Sequence, residues 1–422
     1  MNIKLQKSAI NNRQSKICIT GSKSESNRWL LLQALYPNIE IEYLSNSDDT
    51  QVMSEALGSS SSIINVHHAG TAMRFLTAYF ATKSGREVVL TGSDRMKQRP
   101  IKILVDALNN LGADISYLET EGLPPLKISG RSITKSKVSL QANVSSQYIS
   151  ALLLIAPKLE NGLELTLEGK ITSVPYINMT LSLLKEIGVE TNFQDNVFKV
   201  SSLDNISPMG IKGLIESDWS SASYFYSIVA LSDIGTEIKL FSYKQNSLQG
   251  DSVLADIYMQ FGVKTTFEDK SVILQKLALS EVERSTIVNQ QSLIKLNLSN
   301  SPDIAQTIAV TCFGMGISCH LTGLHTLKIK ETDRLLALKT EIEKLGGEVS
   351  VTEDSLILKA SKTIKSQVNI DTYNDHRMAM AFAPLALVTS IGINDAEVVS
   401  KSYPSFWKDL KSIGIEIIPN HL

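Results

Sequence analysis

Gly21-Ser22-Lys23-Ser24-Glu25-Ser26-Asn27-Arg28 places three hydroxyls, a lysine and an arginine within eight residues that open on a glycine. A short apolar run, Lys16-Ile17-Cys18-Ile19-Thr20, precedes them, and a helical pattern, Trp29-Leu30-Leu31-Leu32-Gln33-Ala34-Leu35, follows, so the order reads strand, turn, helix. A helix start presents free backbone N–H groups and the positive end of its dipole. With those side chains it makes a receptor for a phosphate or a carboxylate. The spacing is not that of a Walker A loop, so ATP hydrolysis is not implied, and the same residues also fit a Ser-capped helix with solvated charges. Basic clusters of the same kind recur at Asp94-Arg95-Met96-Lys97-Gln98-Arg99-Pro100, Lys328-Ile329-Lys330-Glu331-Thr332-Asp333-Arg334 and Asn374-Asp375-His376-Arg377, each before or at the opening of a helical pattern. Cations drawn from distant segments suggest one site that binds several negative charges.

Such loops need a scaffold. The chain has 422 residues, enough for two or three domains with a sizeable core. Its 43% hydrophobic and 20% charged residues fit a globular protein, and a net charge of −2 gives no electrostatic case for binding nucleic acid or a membrane. The basic loops therefore mean a local anion site rather than a basic face. Cys18, Cys312 and Cys319 form no Cys-x-x-Cys pair and the six histidines show no zinc spacing, so neither a disulfide framework nor a structural metal is expected. Met1-Asn2-Ile3-Lys4-Leu5 does not read as a signal peptide and no apolar run approaches about 18 residues, which makes the cytoplasm the expected location.

A degenerate unit repeats along the chain: an amphipathic helix, a glycine, a strand, a turn and often a second strand. It is clearest at 181–190, 254–263 and 338–349, recognisable at 105–114, shortened at 410–415 and worn near Ala56-Leu57-Gly58. Its glycines are Gly58, Gly112, Gly188, Gly262, Gly346 and Gly414. A glycine just after the last apolar helix position is a C-cap signal. Alternation in Val197-Phe198-Lys199-Val200 and Ser355-Leu356-Ile357-Leu358 supplies the return strand. The irregular spacing, above about 50 residues, excludes a tight solenoid. Six α/β units in one chain predict two halves of three units each. No Pro- or Gly-rich linker separates them, so the boundary should be a tight crossover near Gly213-Leu214-Ile215-Glu216.

Taken in order, the motifs resemble those of the 5-enolpyruvylshikimate-3-phosphate synthase family over essentially the whole chain. They are the Gly21 loop, Ala69-Gly70-Thr71-Ala72-Met73-Arg74, Leu90-Thr91-Gly92 with Arg95-Met96-Lys97 and Arg99-Pro100, Ser145-Ser146-Gln147, Asn246-Ser247-Leu248-Gln249-Gly250-Asp251, Pro302-Asp303, Ile329-Lys330-Glu331-Thr332-Asp333-Arg334, and Tyr373-Asn374-Asp375-His376-Arg377-Met378-Ala379-Met380. The resemblance implies a two-domain inside-out α/β barrel of six helix–strand units, three per domain. Residues 21–215 would form one domain, 1–20 with 216–422 the other, and the active site would lie in the cleft between them. It implies transfer of the enolpyruvyl group of phosphoenolpyruvate to the 5-hydroxyl of shikimate 3-phosphate, through a non-covalent tetrahedral intermediate and without metal or organic cofactor. The expected partners are the two substrates alone, with no nucleic acid, no membrane and a monomeric enzyme. Residue by residue, the resemblance places phosphoenolpyruvate on Lys23, Gly70, Arg95, Gln147, Arg334, Arg377 and Lys401. Shikimate 3-phosphate falls to Lys23, Ser24, Arg28, Ser145, Ser146, Gln147, Ser173, Tyr176, Asp303 and Lys330. Lys23, Asp303 and Glu331 would be catalytic, with Asp303 at the attacking hydroxyl and Glu331 at the methylene carbon. Gly70 is the position at which the family senses glyphosate. The Asn246-to-Asp251 motif is read as a brace for a turn, outside the site.

Each residue also has a plainer reading. Asp303 after Pro302 fits a helix N-terminal acid, Glu331 and Asp333 fit complements to a helix dipole, Arg334 fits a surface pair, and His376-Arg377 fits a solvated helix start. His68, Phe75 and Thr326 depart from residues frequent in the family. The sister transferase acting on UDP-N-acetylglucosamine is the nearest alternative. It commonly uses a loop cysteine, which the Arg95 segment lacks. A non-catalytic anion-binding relative is the other alternative, and it would be free to lose Asp303 or Glu331.

Overall fold

The computed structural model describes residues 1–10, 14–142, 145–169, 171–203, 210–278 and 293–420. The chain divides into two compact units, Gly21–Ile215 and Met1–Thr20 with Glu216–Leu422.

Each unit is built around three inner helices. In Gly21–Ile215 they are α1 (Lys23–Leu35), α2 (Gly70–Ala81) and α3 (Ser146–Ile155). In the discontinuous unit they are α4 (Trp219–Leu231), α5 (Ala305–Met315) and α6 (His376–Phe382). Beyond the polar first turns of α1, their sequences are apolar or small nearly all round, and a helix of that kind must be surrounded by protein; every residue of α2 and of α6 is buried. The sheets carry the opposite pattern. Lys137–Gln141 alternates exposed and buried residues, as does Val197–Val200 beyond its first residue, so one sheet face meets the helices and the other meets solvent. Helices inside and strands outside is the arrangement the resemblance implies.

There are six sheets among the described residues, three per unit, five of four strands and one of two. Four inner helices connect parallel neighbours. Ile63–Asn65 pairs with Glu87–Thr91 across α2 and Lys137–Gln141 with Leu163–Glu168 across α3. Ile294–Asn297 pairs with Cys319–Thr322 across α5 and Val368–Ile370 with Ile391–Ile393 across α6. The other two exchange leading strands. Gln14–Ile17, which leads into α1, pairs with Glu237–Phe241 after α4, while Lys212–Leu214, which leads into α4, pairs with Glu40–Glu42 after α1. The strand before the Gly21 motif is thus shorter than its apolar run, which extends to Thr20.

Five repeat glycines, Gly112, Gly188, Gly262, Gly346 and Gly414, have positive φ, the backbone that a helix-ending glycine supplies. Gly58 does not, and it ends a helix, Asp48–Gly58, that leads to no hairpin of its own. The worn copy in the sequence is the unit whose sheet has only two strands. The last unit is completed from the other end of the chain, where Ile3–Leu5 lies between Ile391–Ile393 and Ile417–Pro419, antiparallel to both.

Candidate active site

The leading strands deliver Lys23, Gly70, Ser145, Asp303 and Arg377 to the N-terminal ends of the inner helices. In Gly21–Ile215, α1 starts earlier than the apolar pattern suggests. The Ser22 hydroxyl accepts the Glu25 N–H (3.4 Å), so Lys23 to Arg28 form helical turns rather than a loop. Lys23 Nζ reaches Asp49 Oδ2 (3.1 Å). Arg28 is buried, and its Nε donates to Thr180 Oγ1 (2.8 Å), Nη1 to the Ser24 carbonyl (2.7 Å), and Nη2 to Ser150 Oγ (2.9 Å) and the Tyr176 carbonyl (3.2 Å). None of these acceptors is a carboxylate, and burial brings the guanidinium pKa down to about 10, against the upward pull of Tyr176 and Glu25. A buried cation held by neutral oxygens leaves positive charge for an anion to meet. Phe75, one of the three departures from residues frequent in the family, lies under it with the ring centroid 5.4 Å from the guanidinium carbon.

Ser145 caps α3 by accepting the Gln147 N–H (3.3 Å), and Gln147 Nε2 donates across to Thr71 Oγ1 (3.1 Å) in the first turn of α2. Ser146 is buried beside them. Ser173, with φ 54°, precedes the helix Val174–Glu186 that carries Tyr176 and Thr180. Arg28 therefore ties Ser24, Ser150 and Tyr176 to one point, and Gln147 ties α3 to α2.

The structure separates the two arginines of the Asp94 motif. Arg95, on the short helix Asp94–Lys97, is exposed, whereas Arg99 is only 9% exposed. A Cβ built on Gly70 would stand 2.6 Å from Arg99 Nη1 and 3.0 Å from Nη2. Arg74 fixes this segment to α2, donating to the Gly70 carbonyl (3.3 Å) and the Pro100 carbonyl (3.1 Å). Arg99, not Arg95, is laid against the start of α2. Sequence reasoning passed it over, although Gly70, a glycine at a helix start, was a signal that something approaches closely there.

In the second unit the candidate residues form one network. Asp303 lies in the 3₁₀ turn Pro302–Ile304 that feeds α5; Arg334 opens the helix Arg334–Lys344; Arg377 is in the first turn of α6; Lys401 ends the 3₁₀ segment Ala396–Lys401. Arg334 is 2% exposed and shared among three carboxylates: Nη1 to Asp303 Oδ1 (2.9 Å), Nη2 to Glu331 Oε2 (2.8 Å) and Nε to Asp375 Oδ2 (2.6 Å). Arg377 donates to Asp303 Oδ2 (3.2 Å) and to the Asp303 carbonyl (3.1 Å), Lys330 stands 3.6 Å from Asp303 Oδ1, and Lys401 donates to Glu331 Oε1 (2.7 Å). Burial alone would raise the Asp303 carboxyl, but Arg377, Lys330 and Arg334 outweigh it and hold the group well below the usual carboxylate range. Burial would likewise lower Arg377, yet Asp303 leads a set of neighbours that raise it well above its ordinary value. The plainer readings hold for Asp333, whose Oδ1 accepts the N–H groups of Leu335 and Leu336 (3.1 Å each), and fail for Arg334 and His376, both buried. Among the described residues no group of His, Cys, Asp and Glu is arranged to hold a metal ion.

Three carboxylates on one buried guanidinium, with lysines and a second arginine around Asp303 and Glu331, can bind an anion and exchange protons beside it. The EPSP synthase (3-phosphoshikimate 1-carboxyvinyltransferase) family profile matches residues 58–410. A 3-phosphoshikimate 1-carboxyvinyltransferase of Bacteroides fragilis is 44% identical over 408 residues, covering 96% of each chain, and one of Vibrio campbellii is 36% identical over 435 residues, covering 96% of this chain and 98% of its own. Among solved structures, an EPSP synthase of Acinetobacter baumannii superposes with a TM-score of 0.77 at 20% identity, covering 99% of this chain and all of its own. The enolpyruvyl transferase NikO of Streptomyces tendae does so with 0.73 at 12% identity over 99% and 98%. The chain belongs to the EPSP synthase (3-phosphoshikimate 1-carboxyvinyltransferase) family.

Proposed function

We propose that this enzyme moves the enolpyruvyl group of phosphoenolpyruvate to the 5-hydroxyl of shikimate 3-phosphate through the candidate residues described above. The observation that carries this is Arg334 bonded to both Asp303 and Glu331 (2.9 and 2.8 Å), which sets the two candidate acid–base groups on one fixed cation. In the addition step a proton joins the methylene carbon, the 5-oxygen bonds to the adjacent carbon and the hydroxyl proton leaves, giving a tetrahedral adduct. In the elimination step a proton leaves the new methyl group and the bond to the phosphate oxygen breaks.

Asp303 accepts the hydroxyl's hydrogen bond and Glu331 serves the carbon, with Lys23 at the bridging oxygen. Three cations hold Asp303 ionised and make it a weak base. The substrates' phosphate and carboxylate groups compete for those cations, which strengthens Asp303 as a base once they arrive. Phosphoenolpyruvate is held by Lys23, Gly70, Gln147, Arg334, Arg377 and Lys401, with Arg99 in place of Arg95 because Arg99 is the arginine against Gly70. Shikimate 3-phosphate is held by Lys23, Ser24, Arg28, Ser145, Ser146, Gln147, Ser173, Tyr176, Asp303 and Lys330. The enzyme acts as a single chain in the cytoplasm; no helix among the described residues is long and apolar enough to cross a membrane. Phosphate release from phosphoenolpyruvate, measured with shikimate 3-phosphate and separately with UDP-N-acetylglucosamine, tests the reading. Release is expected with the first acceptor only; release with the second alone, or with neither, overturns it.

A further inference from the structure

The motif Asn246-Ser247-Leu248-Gln249-Gly250-Asp251 does two different things. Its first part braces the chain as it enters the second unit. Ser247 Oγ and Gln249 Nε2 donate to Glu216 Oε2 (2.5 and 3.3 Å), and Gln249 Oε1 accepts the Trp219 N–H (2.9 Å) at the start of α4. Its last residue, Asp251, takes no part in that brace. It is 3% exposed, and its Oδ2 accepts the hydroxyl of Ser220. The same Ser220 oxygen accepts from Arg377 Nη2 (3.3 Å), whose other bond goes to Asp303 Oδ2 (3.2 Å). An unbroken line therefore runs from Asp251 through Ser220 and Arg377 to Asp303.

A serine hydroxyl has one hydrogen and can turn it in any direction. An acceptor on one side fixes that direction and leaves the lone pairs for a donor on the other. We infer that Asp251 is a positioning residue for phosphoenolpyruvate binding: it orients the Ser220 hydroxyl, which holds the Arg377 guanidinium in place from outside the substrate site. The inference rests on the assignment of Arg377 to phosphoenolpyruvate. Two further facts support it. Asp251 Oδ1 is buried with no hydrogen-bond partner among the described residues, so the carboxyl is not placed there to complete a structural network. Burial, reinforced by the charge of Asp303, raises the Asp251 carboxyl to about 7 despite Arg377 and the Ser220 hydrogen bond, so the fold gains little from carrying it.

The test compares Michaelis constants for the two substrates in Ser220→Ala, Asp251→Ala, their double variant, Asp251→Asn and Arg377→Lys. A hydrogen bond of ordinary net strength corresponds to roughly a three- to tenfold change in an equilibrium constant. Ser220→Ala and Asp251→Ala should each raise the phosphoenolpyruvate KM by about that factor, with kcat and the shikimate 3-phosphate KM within about twofold of wild type. The double variant should match the larger single effect, because both changes break one line. Asp251→Asn keeps a carbonyl acceptor for Ser220 and should stay near wild type. An unchanged phosphoenolpyruvate KM, an equal loss for both substrates, multiplying effects in the double variant, or Asp251→Asn as damaging as Asp251→Ala would overturn the inference. If Arg377→Lys also leaves the phosphoenolpyruvate KM unchanged, the assignment of Arg377 itself fails; if Arg377→Lys raises it while the other variants do not, only the role of Asp251 fails.

Discussion

Asp303 and Glu331 share Arg334 but differ in what surrounds them. Asp303 has Arg377 and Lys330 as further cations, and Glu331 has Lys401. Acid–base groups of this kind typically contribute about 10²–10⁴-fold, so Asp303→Ala and Glu331→Gln should each cut turnover by about that factor while shikimate 3-phosphate affinity, read by titration calorimetry, changes far less. Turnover within twofold of wild type in both would remove them from the chemistry. The types and order of these residues were legible in the sequence because each sits in a compact motif at a helix start. Their pairing was not, since Asp303, Arg334 and Arg377 are far apart in the chain and only the exchange of hydrogen bonds reveals that one guanidinium serves three acids. Nor could the sequence choose between Arg95 and Arg99: the two stand four residues apart in one motif, and only the fold, with Arg95 on the short helix Asp94–Lys97 and Arg99 beyond it, exposes one and buries the other. That choice bears on Gly70. A methyl group at Gly70 would meet the far end of the Arg99 side chain, 2.6 Å away, which can swing aside at small cost to the fold. Gly70→Ala should therefore shift the arginine rather than unfold the protein. It should raise the inhibition constant of glyphosate, which competes with phosphoenolpyruvate, more than it raises the phosphoenolpyruvate KM. Equal rises in both would contradict it.

Of the inner helices, α1 and α6 are legible as the helical patterns after Arg28 and at His376-Arg377, but the start of α1 is hidden because its first turns are polar. The Gly21 motif reads as a loop because Lys23, Ser24, Glu25 and Asn27 lack apolar periodicity, yet Ser22 caps them into α1. A helix end inside a site has to be polar, so the residues that bind anions are those that hide the boundary. The helix Arg334–Lys344 shows the same economy. Asp333 caps it through two backbone N–H groups and so fixes the residue that follows, Arg334, two of whose three carboxylate partners, Asp303 and Asp375, come from distant segments. Removing a cap of this type costs about 0.5–2 kcal/mol. Asp333→Ala should lower stability in urea by about 1 kcal/mol and raise the phosphoenolpyruvate KM as Arg334 loosens. A loss of stability without any change in KM would show that the network, rather than the cap, sets the position of Arg334.

At the scale of the whole chain, six glycine-ended units announced two halves of three, and the lack of a linker announced a crossover. Which strands join which sheet was beyond reach, because strands of three or four residues carry too little alternation to fix a partner and the partners lie hundreds of residues away. Ile3–Leu5 is the clearest case. It is an inner strand of its sheet, bonded on one edge to Ile391–Ile393 and on the other to Ile417–Pro419. Ile3 and Leu5 are at most 2% exposed, so the strand also contributes two apolar side chains to the core of the discontinuous unit. That unit is therefore incomplete until the last residues of the chain meet the first. Deleting residues 1–5 leaves two strand edges unpaired and opens the core beside α6, while the unit Gly21–Ile215 keeps every strand pair it has. Hydrogen exchange on the truncated chain should show lost protection in α6 and its sheet, with α2 and α3 protected as in the full chain. Activity should vanish together with that protection, since Arg377 is carried by α6. Protection lost uniformly from both units would mean that they fold as a single cooperative block, and full protection would mean that the N-terminal strand is dispensable to the sheet it bridges.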